Sequence, residues 1–111
     1  MKSTGWLRAI GLAGLIGSSG GAFSAEPGTG HWLLETCRGD QGDLGKAFCL
    51  GYSMGLADLM VGQERICLPP NLTSEQIRLA VEGYLGDNPA RLQHHPVLLV
   101  IEALDSTFAC R

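Results

Sequence analysis

The sequence predicts an all-α protein: a small, disulfide-linked bundle of about four helices that follows a cleaved signal peptide. Beyond the leader, apolar residues recur at helical spacing instead of alternating with a period of two, and glycine-rich turns cut the chain into segments of helix length. All four cysteines also lie beyond the leader, which marks a small exported domain held by two disulfides.

Lys2 and Arg8 make a short positive start, residues 9–17 are apolar apart from glycines, and small residues fill 18–22. That order is a secretory signal peptide over residues 1–24. In Ala22-Phe23-Ser24 small residues occupy the third and first places before a cut, so cleavage is expected after Ser24, with Ala25 as the second choice. The apolar run is too short and too rich in glycine for a membrane-spanning helix. Removal leaves one domain, residues 25–111, in which six Lys and Arg stand against eleven Asp and Glu. Such an acidic chain is a poor partner for nucleic acid or an anionic membrane surface and suits a basic protein. The expected location is the periplasm.

Residues 25–29 read as a lead-in without structure. A first helix is expected over about residues 32–38, ended by the turn Gly39-Asp40-Gln41-Gly42. A second runs from about Asp43 to Val61 and closes at Gly62. Thr73 caps a third, with Gln76 three residues on as a capping box, and Ile77, Ala80, Val81, Tyr84 and Leu85 form its apolar stripe. After Gly86-Asp87-Asn88-Pro89 and a polar stretch, Pro96 opens a last helix whose stripe is Val97, Ile101, Leu104 and Phe108. Residues 97–101 alone could be a buried strand, but residues 102–108 continue the helical stripe.

Cys37, Cys49, Cys67 and Cys110 allow three pairings. Cys49 falls near the start of the second helix and Cys67 beyond its far end, so at about 1.5 Å per residue they lie about 20 Å apart, outside disulfide reach. Cys37 sits one tight turn before that helix and should bond Cys49. The last helix returns towards Cys67, which leaves Cys110 as its partner. By loop length alone the Cys67–Cys110 link should matter more. No C-x-x-C occurs and the neighbouring His94 and His95 would point apart, so neither a metal site nor a cofactor is expected.

One stretch suggests chemistry. "GYSMG", residues 51–55, fits the G-x-S-x-G pattern of hydrolase nucleophiles. The pattern needs a buried strand before the serine, and here "LGKAFCL" precedes it, so Ser53 is read as inert and the protein as no enzyme. On a helix Leu44, Phe48, Gly51, Gly55 and Leu59 share a face with Tyr52 at its border, and the two glycines make a notch. Each costs about 1 kcal/mol against alanine, so the pair implies close approach of a backbone, either a neighbouring helix of the same domain or a second copy. Asp58, on the same side near the helix end where the dipole disfavours an anion, is either solvated or accepts hydrogen bonds from a neighbouring segment.

These residues resemble a family. "CLGYSMGLAD" is similar to the C-x-G-Y-x-x-G-x-x-D signature of the Rap/Tai immunity proteins, and "CLPPNLTSEQ" to their C-x-P followed by a T-x-x-Q helix start. "VEGYLGDNP" resembles V-x-x-Y-L-x-x-x-P, and "LLVIEALDSTFAC" the final helix leading into F-P-C, with Ala109 where the family has proline. The resemblance runs from about Leu33 to Cys110. It implies a periplasmic protein that protects a bacterium from its own type VI secretion amidases, that dimerises with itself, and that pushes an inter-helix loop into the amidase cleft. By position that loop is residues 87–95, with Asp87, Arg91, His94 and His95 as candidate contacts. The alternative is a small disulfide-bonded acid-stress chaperone of the HdeA type, although two disulfides resist the acid opening that such a chaperone needs, or another periplasmic binding module without a toxin partner.

Overall fold

The computed structural model describes residues 27–111, so the expected signal peptide and its cleavage site lie outside the described residues. The described chain is an all-α bundle of four helices: α1 (Gly30–Arg38), α2 (Asp43–Gly62), α3 (Ser74–Asp87) and α4 (Pro96–Thr107), with a single 3-10 turn, Pro89–Arg91, between the last two. No helix among the described residues is long and apolar enough to cross a membrane.

Each boundary has a local cause. Thr29 caps α1, its Oγ1 accepting from Trp32 N at 3.2 Å, so the helix starts at Gly30, earlier than periodicity suggests, and residues 27–29 are a structured turn and cap. Gly39 closes α1 in the left-handed region (φ 85°), where its N–H and that of Asp40 reach the Thr36 and Glu35 carbonyls at 3.1 Å. The box on α3 is complete: Gln76 N donates to Thr73 Oγ1 at 3.1 Å and Thr73 N to Gln76 Oε1 at 2.8 Å. Pro96 begins α4, and His95 Nδ1 accepts from Val97 N at 3.1 Å as its cap.

The core is filled by Leu33 and Cys37 of α1, Cys49, Ala57 and Met60 of α2, Ile77, Val81 and Leu85 of α3, and Leu99, Val100, Ala103 and Leu104 of α4. On α3 this matches the expected stripe, with Ala80 and Tyr84 at its half-buried edge. On α4 the face is rotated: Val97 and Ile101 are half-buried, and Leu99, Val100 and Ala103 take the centre. The run 97–101 is apolar all round, so sequence period could not orient it.

Two disulfides tie the chain, Cys37–Cys49 across the α1–α2 turn and Cys67–Cys110 from the α2–α3 link to the segment after α4. Around the second, Cys67 N donates to Phe108 O at 2.9 Å, and Ile66 and Ala109 form an isolated antiparallel bridge. Arg78 adds a polar tie that period alone did not foretell. Only 5% exposed, it leaves α3 to donate to Cys37 O at 2.6 Å, and it is paired by Glu75 and by Glu82 at 2.9 Å. The hydrogen bond from Arg78 holds the Glu75 carboxyl below its ordinary range. A charge this buried is tolerated because its donors are met, and the carbonyls at the end of α1 gain a partner that water would otherwise supply.

Candidate functional site

The segment between α3 and α4, residues 88–95, is held from both sides. Asn88 Nδ2 donates to Tyr84 O at 2.7 Å, closing the end of α3. Leu92 is buried, and its carbonyl and that of His94 accept from His31 N at 3.1 Å and Gly30 N at 2.9 Å. The first turn of α1 thus spends two of its free N–H groups on the loop. Gly30 has to be glycine for this: a Cβ there would meet Leu99 Cδ1 at 2.3 Å and Leu92 O at 2.9 Å.

A polar triad fixes the loop from below. Glu102 on α4 accepts from Tyr84 Oη at 2.9 Å and from Arg91 Nε at 2.8 Å, and a second, short contact joins the Arg91 Nη2 to its other oxygen. Arg91 therefore anchors the loop to α4, while its side chain stays 39% exposed at the surface named as a candidate partner contact. Glu102 lies eleven residues away on another helix, where sequence spacing carries no signal. His95 is exposed and caps α4, while His94 is half-buried and its backbone carries the bond to Gly30. Asp87 is exposed at the end of α3, in a shallow groove with Leu34, Arg38, Leu79 and Glu82.

The hydrogen bonds from Arg91 hold the Glu102 carboxyl below its ordinary 4.5, helped by Tyr84 and the nearby His94 and opposed by partial burial. A carboxyl depressed on folding stabilises fully above that ordinary value, and the contribution is lost as pH falls through the depressed one. Loosening of the loop is thus expected below pH 4.5. Thermal unfolding measured against pH should be less acid-sensitive in Glu102→Gln. An unchanged slope would put the sensitive group elsewhere.

Gly51 and Gly55 do not contact a neighbouring helix. A Cβ on either would meet nothing within 4 Å. The close approach is made on the opposite side of α2 by the small residues Gly45, Cys49, Ser53 and Ala57, all buried, and a Cβ on Gly45 would lie 3.2 Å from Thr36 O. Ser53 is 0% exposed in the middle of a continuous helix, 4.0 Å from Cys49 Sγ. The glycine face is instead an apolar stripe on the surface, with Leu44 82%, Phe48 46% and Leu59 54% exposed. Phe48 stacks on Tyr52 (centroids 5.6 Å) and meets the edge of Trp32 (5.4 Å), and burial raises the Tyr52 hydroxyl pKa. Asp58 beside the stripe is exposed and without a hydrogen-bonding or charged partner among the described residues. No group of three potential metal ligands exists among the described residues.

A disulfide-pinned helical domain with an ordered polar loop at one end and an uncovered apolar stripe along one helix has the surfaces of a binding protein. The sequence model of the Rap1a immunity proteins matches residues 29–110, and the chain belongs to that family. Neither the curated proteins nor the solved structures compared with it give a match. Membership in an immunity family implies a toxin effector as partner and is consistent with secretion or a periplasmic location.

Proposed function

We propose that the protein neutralises a type VI secretion peptidoglycan amidase in the periplasm by occluding its cleft, with no chemistry of its own. The observation that carries this reading, beside the family, is the preorganised loop: residues 88–95 are held by Gly30, Tyr84, Asn88 and Glu102, so little conformational freedom is lost when they dock. His94 and His95 are the side chains proposed to face the enzyme, with Asp87 at the loop's start. The test is a peptidoglycan hydrolysis assay with purified type VI secretion amidases of the producing bacterium. Parent protein should abolish turnover, and a double variant His94→Ala, His95→Asn, which keeps a helix-capping side chain at position 95, should weaken inhibition by about tenfold or more with Tm nearly unchanged. Full inhibition by that variant would move the binding surface elsewhere, and no inhibition by the parent would remove the amidase reading.

The stripe on α2 supports self-association as a dimer, with the notch at Gly51 and Gly55 receiving the partner's backbone or side chains. Within one chain these glycines touch nothing, so Gly51→Ala with Gly55→Ala should stabilise the folded unit by about 0.5–1 kcal/mol per site through helix propensity. The same pair should lower the dimer fraction in analytical ultracentrifugation. A dimer unaffected by both changes would have another interface.

A further inference from the structure

The two disulfides stand in opposite surroundings. Cys37 and Cys49 are fully buried in the core, while Cys67 and Cys110 are both exposed. The exposed pair also forms part of the wall of an open groove lined by Val61, Glu64, Ile66 and Leu68. Attack on a disulfide needs a thiolate to reach one sulfur with the other leaving behind it, so access decides which bond exchanges from the folded state. A buried disulfide must wait for the bundle to open. The free-energy gap between these two routes separates their rates.

We propose that Cys67–Cys110 is a thiol–disulfide exchange site open to dithiols in the native protein, and that Cys37–Cys49 is closed to them until the fold opens. A dithiol thiolate attacks one sulfur of the pair, forming a mixed disulfide and releasing the other cysteine as a thiol. The second thiol of the reagent then displaces the first, so the dithiol leaves as its own disulfide and Cys67 and Cys110 remain as two thiols, two electrons having passed from reagent to protein. What exchange frees is local. The bond from Cys67 N to Phe108 O and the bridge between Ile66 and Ala109 lose their covalent clamp. The loop at residues 88–95 is held at the other end of α4, about 18 Å away at 1.5 Å per residue, and does not depend on it.

The test uses the full disulfide-bonded chain and dithiothreitol as the probe, with timed quenching by iodoacetamide, intact mass measurement and peptide mapping. A species with two labels, on Cys67 and Cys110, should form at least about tenfold faster than the species with four, with far-UV helicity retained. Low urea should accelerate labelling of Cys37 and Cys49 while leaving the first step flat. Four labels arriving together, first labels on Cys37 and Cys49, or the same urea dependence for both steps would each overturn the proposal.

Discussion

Replacing Cys37 and Cys49 together by alanine should cost about 5 kcal/mol, the largest loss expected from any pair of substitutions in the bundle. Loop closure over 12 residues accounts for about 3 kcal/mol. The remainder, about 2 kcal/mol, comes from packing, because both sulfurs lie in the core and alanine leaves their volume empty. Removing Cys67 and Cys110 should cost about 4 kcal/mol, nearly all of it chain entropy over a separation of 43 residues, since that bond is exposed. Loop length alone ranks the two the other way, and it is the burial of the shorter link that reverses the order. In a domain of this size each kcal/mol is worth about 4–8 °C, so Tm should fall by at least about 20 °C for the buried pair and somewhat less for the exposed one. If calorimetry ranks the exposed pair as the more damaging, the packing share has been overstated.

Gly30→Ala should cost about 2–3 kcal/mol, although it adds only one methyl group at the start of a helix. The new Cβ meets the Leu92 carbonyl, which is backbone, and Leu99, which is fully buried. Either the loop lifts from α1 or α4 shifts, and in both cases the hydrogen bonds from Gly30 to His94 and from His31 to Leu92 are strained. The substitution should therefore weaken inhibition of the proposed amidase more than its effect on Tm alone would suggest. Gly83→Ala is the control, since a Cβ there meets nothing within 4 Å and should be neutral or stabilising. A Gly30→Ala protein as stable as the control would show that the loop does not sit against the helix start.

Local signals in the sequence located the helices well, because caps and turns act over three or four residues. Thr73 with Gln76, Gly39 at the end of α1 and Pro96 at the start of α4 each do locally what their residue types favour. The exception is Thr29-Gly30, whose cap was hidden because a glycine at the first helical position reads as lead-in. Its reason lies at Leu92 and Leu99, more than sixty residues on. The same distance effect governs the candidate site. A cation in a polar loop reads as a partner contact, and nothing in the sequence spacing places Glu102 and Tyr84 beneath Arg91 as its anchor. On α2 the helical period brings out two faces, Leu44 to Leu59 and Gly45 to Met60, and the more apolar of them is the one facing solvent. Hydrophobicity cannot say which face a monomer buries when the other is free to serve a different contact.

The docking of the α1 start against the loop also bears on how the protein is handled. Thr29 enters α1 directly beside the point where Gly30 N meets His94 O at 2.9 Å. An affinity tag or fluorescent fusion joined ahead of Thr29 would therefore hang over the surface proposed to meet the amidase, and would mimic a defective inhibitor even with every side chain intact. Fusions carried after Arg111 emerge beside Cys110, at the far end of α4, and leave that surface clear.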